Sequence, residues 1–155
     1  AVQSPFNAYL SLVGLETLPQ RVSQQVVSAQ RIAEHLTSAP HVTKVNYSGL
    51  GYTPQYELVG KYFPRGVGQI LSFQVDGGAD SVRRIIDGTR LFSYVPNIGD
   101  ARSLIVDPAH ITHREVPAEA RIAAGVSDNM IRLSIGLEDV NDLIADLDQA
   151  IAAAY

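Results

Sequence analysis

From Met130 to Ile135 the chain alternates. Ile131, Leu133 and Ile135 fall on one side of an extended strand, Met130, Arg132 and Ser134 on the other. Gly136 closes this strand, and Glu138-Asp139 opens a final helix, predicted over Asp139–Ala153, with acidic residues at its positive end. Val140, Leu143, Ile144, Leu147 and Ile151 share one face of that helix. At the other end of the chain, Ser4-Pro5 reads as an N-cap and first helical residue of a helix that reaches about Val13 and breaks near Gly14. Thr17 starts a long amphipathic helix in which Val22, Val26, Ala29, Ile32 and Leu36 recur at helical spacing, and Ala39-Pro40 stops it. Between these ends the pattern predicts strands over 42–47, 69–75, 91–95 and 103–106. It also predicts short helices over 56–62, 79–87 and from Pro117 to Gly125. Strands and helices alternate without repeat or linker. The expectation is one α/β domain, a four- to five-stranded sheet with helices mainly on one side, its strand directions left open.

Composition narrows the picture. A chain of 155 residues is long enough for one well-cored domain. A formal charge of −4 gives no electrostatic case for nucleic acid or an anionic membrane. No apolar run approaches the roughly 20 residues a membrane span needs, and there is no cysteine; a soluble, cytoplasmic protein is expected. The first residue is Ala1 and the only methionine is Met130, so the chain is expected to be cut from something longer.

Most candidate chemistry has a plainer reading. Gly66-x-Gly68 and Gly77-Gly78 lack the ending and setting of a phosphate loop and are turn glycines. His110 and His113, with Asp107 nearby, have no adjacent third strong ligand, so a polar loop is expected rather than a metal site. No serine sits in a nucleophile elbow. Glu138 and Asp139 are read as helix-start residues. The only two lysines, Lys44 and Lys61, are expected to be solvated and unsuited to a Schiff base. Arg132 is different: a guanidinium amid apolar strand residues is costly unless its planar fork of donors is met. Either it pairs with an internal acid or it waits for an acidic ligand. With the loop Asn97-Ile98-Gly99-Asp100, whose amides could donate, it forms a candidate carboxylate clamp.

Five blocks in order carry a resemblance: Ser4-Pro5-Phe6-Asn7-Ala8, Gly14-Leu15-Glu16-Thr17-Leu18-Pro19, Val45-Asn46-Tyr47-x-Gly49-Leu50, Asn97-x-Gly99-Asp100-Ala101-x-Ser103-Leu104 and Ile131-Arg132-Leu133-Ser134-x-Gly136-x-Glu138-Asp139. The chain resembles the C-terminal part of the Cys/Met-metabolism enzymes that use pyridoxal phosphate (PLP), in the aspartate-aminotransferase-like fold (fold type I). Its closest likeness is to the O-acetylhomoserine sulfhydrylases, through Glu16 and Asn97. The resemblance implies residues 1–38 as linking helices and 39–155 as the small domain. It implies that Arg132 and Asn97 bind the substrate α-carboxylate, and that no catalytic or cofactor-binding residue lies in this chain. The reaction implied replaces the acetyl group of O-acetylhomoserine with sulfide or methanethiol, giving homocysteine or methionine. PLP would be held by an N-terminal large domain preceding Ser4, within a homotetramer built as a dimer of dimers. The relatives that make or cleave cystathionine or cleave methionine, and a cofactor-free binding module of the same fold, are the alternatives. One loop departs from the family pattern: Asp107-Pro108-Ala109-His110-Ile111-Thr112-His113 stands where relatives carry His-Pro-Ala-Ser-x-Thr-His.

Overall fold

The apolar side of the alternating strand is where sheet and helices meet. In the computed structural model, which describes residues 2–155, this strand (β5, Met130–Ser134) is the middle one of five. The others are β1 (Val42–Asn46), β2 (Ile70–Val75), β3 (Ser93–Tyr94) and β4 (Leu104–Val106), in the order β1-β2-β5-β4-β3. Neighbours run antiparallel except β3, which is parallel to β4, so the sheet is mixed. Ile131, Leu133 and Ile135 have no exposed surface and join Leu71, Phe73, Val75 and Ile105 in one core.

Three helices cover that core: α2 (Leu18–Leu36), α4 (Gly78–Gly88) and α6 (Val140–Ala153). From α2 the buried face is Gln25, Ser28, Ala29, Ile32, Ala33 and Leu36, so the helix enters the domain only from Gln25 onward. Short helices α3 (Tyr56–Tyr62) and α5 (Ala118–Ala123) lie in the connections, α3 at the predicted boundaries. The turn after β1 is closed by Tyr47, whose hydroxyl donates to the Gly68 carbonyl at 2.9 Å. Burial, then the charge of Glu34, pushes that hydroxyl up to about 12, which keeps it a donor.

Two expected boundaries move. The first helix, α1, runs Pro5–Glu16, straight through Gly14. Glycine in a helix costs only about 1 kcal/mol, whereas Pro19 has no N–H to continue the ladder, so the break falls at Thr17. No residue of α1 is buried; Phe6, Tyr9, Leu12 and Leu15 are all exposed. The strand expected over 91–95 shrinks to Ser93–Tyr94 because the amides before it are taken. Asp146, buried on α6, accepts from Arg90 N at 3.0 Å and Leu91 N at 2.8 Å. Among the described residues no helix is long and apolar enough to cross a membrane.

Asp146 thus closes the turn between α4 and β3. Asp146→Ala leaves two amides without their acceptor and should lower unfolding stability by about 2–4 kcal/mol, measured by chemical denaturation. Asp146→Asn keeps one acceptor oxygen and should lose about half of that.

Candidate carboxylate-binding site

Strand alternation puts Arg132 on the sheet face opposite the helices. Its cross-strand neighbours are Ser72 on β2 and Val106 on β4, and Ser72 in turn pairs with Asn46 on β1. Apart from the arginine itself, the rung is therefore neutral from β1 to β4. This face is covered by irregular chain instead of helices. Pro108, Thr112, His113 and Val126 line, with Ser72, Met130 and Arg132, an open cavity of about 240 Å³.

The internal acid that could have neutralised Arg132 is not there. None of the ion pairs among the described residues involves it. Among the described residues its one partner is the Asn97 carbonyl, which accepts from Nη2 at 3.4 Å, and its Nε is buried with no partner. Burial lowers the guanidinium pKa with nothing acidic to offset it, yet an arginine stays charged. Arg121 shows the contrast. Equally at risk of burial, it has Asp128 at 2.7 Å and the Val126 carbonyl at 3.1 Å. Asp100, the acid nearest to Arg132 in sequence on the Asn97 loop, turns inward to its own loop. The Arg102 amide donates to it at 3.0 Å and, with the Arg102 guanidinium, lowers its pKa.

Asn97 reaches the site from the loop between β3 and β4, 35 residues away in sequence. The amide donors expected from this loop are partly spent: Asn97 N donates to the Val95 carbonyl at 2.9 Å and Gly99 N to Ser134 Oγ at 3.2 Å. What the loop still offers is the exposed Asn97 side chain. Asp139 behaves as a helix-start residue, accepting from Asn141 N at 2.7 Å. Glu138 does not. Its carboxylate turns away from the helix and accepts from Ser103 N and Ser103 Oγ, each at 2.8 Å. That role has no local sequence signal.

The remaining candidates stay apart from Arg132 or take bland partners. His110 is held by Asp107, at 3.0 Å, beside α4. His113 lines the Arg132 cavity, its Nδ1 near Thr112 Oγ1 and the Pro108 carbonyl. No group of three metal-binding side chains forms among the described residues. Lys44 and Lys61 are exposed, Lys61 resting 4.9 Å from the Tyr62 ring centre. Neither offers the enclosed amine a Schiff base needs, so the residues present do not fit PLP's aldehyde.

A cation without a counter-ion among the described residues thus stands beside an exposed asparagine on the adjoining loop. The profile for Cys/Met metabolism PLP-dependent enzymes matches residues 1–152. The chain is 42% identical over 149 residues to the O-acetyl-L-homoserine sulfhydrylase of Leptospira meyeri, covering 96% of this chain and 34% of that one. Its backbone superposes on cystathionine gamma-lyase from yeast with a TM-score of 0.94 at 42% identity, covering 99% of this chain and 40% of the other. A Campylobacter jejuni chain assigned to the O-acetylhomoserine (thiol)-lyases and solved with a pyridoxyl-lysine phosphate matches with a TM-score of 0.92 at 42% identity, covering 98% of this chain and 36% of that one. The protein belongs to the Cys/Met metabolism PLP-dependent enzyme family. It spans about a third of the length of the sulfhydrylase it matches.

One glycine sets how close the two halves of the site can come. A Cβ at Gly136 would stand 2.5 Å from the Ala101 carbonyl oxygen and the Arg102 carbonyl carbon, and closer still to Ser103 N. All three are backbone and cannot rotate away. Gly136→Ala should cost about 1–3 kcal/mol of stability, the scale of an overpacked core. Denaturation should show it, with the chemical shifts of 99–103 moving most.

Proposed function

We propose that this chain is the substrate-carboxylate-binding part of a PLP-dependent enzyme that replaces the acetyl group of O-acetylhomoserine with sulfide or methanethiol. The observation that carries this reading is the charged, half-buried Arg132 with no acid beside it. A guanidinium left in that state costs free energy that a bidentate carboxylate returns. The Asn97 side chain, free on the adjoining loop, supplies a second and neutral donor. PLP, held by a preceding large domain, supplies the electron sink for the reaction. This chain's own residues bind the amino acid by its carboxylate and fix the direction in which its reacting end points. Residues 1–38 serve as the linking helices and 39–155 as the small domain, with the exposed α1 covered by the large domain or another subunit of a cytoplasmic homotetramer.

A second reading has a definite basis: the yeast cystathionine gamma-lyase is as similar, at 42% identity, as the sulfhydrylase. The same clamp would then hold the carboxylate of cystathionine. Assaying the full-length protein with O-acetylhomoserine plus sulfide, and separately with cystathionine, decides between them. Release of cysteine or homocysteine from cystathionine without thiol-dependent turnover of O-acetylhomoserine would favour the lyase.

Arg132→Lys in the full-length protein keeps the charge and loses the fork. It should weaken carboxylate-substrate binding by about 2–4 kcal/mol, seen in kcat/KM, with the cofactor's visible spectrum unchanged. Asn97→Ala should act the same way by about 1 kcal/mol, since its carbonyl contact to Arg132 survives. If Arg132→Lys spares kcat/KM and lowers Tm, the arginine is structural.

The isolated chain should self-associate, because Phe6, Tyr9, Leu10, Leu12 and Val13 leave α1 apolar around much of its circumference. Light scattering with an apolar dye reports this. A dilute, dye-silent monomer would mean that α1 needs no cover.

A further inference from the structure

The two halves of the proposed clamp lie on different segments, and only a few bonds set the distance between them. Arg132 projects from β5; Asn97 sits on the loop that runs from β3 into β4 at Leu104. Glu138, just past β5, holds that loop with both carboxylate oxygens. Oε1 accepts from Ser103 N and Oε2 from Ser103 Oγ, each at 2.8 Å. The same hydroxyl oxygen accepts from Gly136 N at 2.8 Å, so Ser103 is enclosed and has no exposed surface. Leu137 N donates to the Ala101 carbonyl at 2.8 Å. From the other side, Gln25 of α2, only 2% exposed, donates through Nε2 to the Asp100 carbonyl at 2.8 Å.

We propose that Glu138 and Gln25 are positioning residues for substrate binding: together they fix the 97–103 loop at the distance from Arg132 that one carboxylate spans. This rests on Arg132 and Asn97 being the clamp. The geometry distinguishes the two residues from ordinary loop supports. Glu138 and Gln25 each cross to another segment, 35 and 75 residues away, and each meets the loop between Asn97 and β4. Apart from these bonds, Leu137 and Gly136, the loop's ties to β5 among the described residues are the 3.2 Å contact from Gly99 N to Ser134 Oγ and the 3.4 Å contact from Arg132 Nη2 to the Asn97 carbonyl itself. Removing the Glu138 carboxylate strands the amide of a fully buried serine and lets the loop leave the strand end, moving Asn97 away from Arg132. Gln25 stands where α2 enters the core, so the loop also follows α2.

The test uses the full-length protein. Hydrogen exchange is followed on peptides covering 97–104 and, as an internal control, 70–75. KM and kcat are measured for O-acetylhomoserine and for cystathionine, and the better substrate is used. In Glu138→Ala, exchange of 97–104 should rise about tenfold, the scale of losing one charge-assisted hydrogen bond, with 70–75 unchanged. KM should rise by a similar factor while kcat stays within about threefold. Glu138→Gln, which keeps an acceptor for Ser103 N, should restore most of both. Gln25→Met keeps the volume and loses only the donor; it should move both readouts in the same direction by a smaller factor, and it stands in should Glu138→Ala fail to fold. The proposal is overturned if exchange of 97–104 stays at the wild-type rate, or if 97–104 and 70–75 loosen together. It is also overturned if the loop loosens and KM stands still in a protein where Arg132→Lys raises KM. An unchanged KM in Arg132→Lys itself strikes the clamp reading instead, and the exchange data still show whether Glu138 anchors the loop.

Discussion

A strand has two faces, and the middle strand of this sheet cannot choose which residue goes to which. Once Ile131, Leu133 and Ile135 are committed to the core, period-two alternation delivers Arg132 to the opposite face at the centre of the sheet. A slip of one residue would bury the arginine under α2, α4 and α6 and expose three isoleucine and leucine side chains. The register with β2 and β4 is held by that penalty, and it also determines what surrounds the guanidinium. Ser72 and Val106 are its cross-strand neighbours because Phe73 and Ile105, one place along, belong to the core. Core packing and the position of the charge are one constraint seen from two sides.

Local pattern therefore revealed most of the frame. The alternation of 130–135, the apolar stripe of the last helix and the boundaries of α3 all follow from side-chain period and turn residues within a few positions. What local pattern could not reveal are bonds between distant segments. Asp146 takes the amides of Arg90 and Leu91, and a strand expected over five residues keeps two. Glu138, beside the true N-cap Asp139, looks the same in sequence and does something else, because only the folded loop brings Ser103 to it. The mixed strand direction is hidden for the same reason: it depends on where the chain returns. The family blocks singled out Arg132 and Asn97, and the fold brings the two into contact. Of the loop amides, those of Asn97 and Gly99 are taken by the Val95 carbonyl and Ser134 Oγ, which only the folded chain shows.

Charge burial separates structure from function here. Arg121 and Arg132 both lie partly or largely inside the chain. Arg121 has an acid and a carbonyl, and its bonds close the turn after α5 locally. Arg132 has a carbonyl at long range and an orphaned Nε. A fold under selection for stability alone would pair it or replace it with an apolar residue, since removing a buried charge is often neutral or favourable. Keeping it unpaired makes sense when a ligand carboxylate completes the set. The cavity beside it is lined in part by Met130, Ser72 and His113, none of them an acid.

A carboxylate clamp on one part of a protein and a cofactor on another places a strict demand on both. On the proposed reading the clamp would fix one end of an amino acid and the cofactor the other, and an error of about 1 Å between them is enough to slow a reaction by orders of magnitude. Flexible attachment of Asn97 would spoil that registration even with Arg132 in place. The bonds from Glu138, Gly136 and Gln25 remove this freedom at the loop, and Gln25 does so from the helix that leads back along the chain toward α1. On the proposed reading, the half-buried arginine would give the site its affinity. On the same reading, the buried serine, the carboxylate that holds it from both its N and Oγ, and the glycine with no room for a Cβ would give it its geometry.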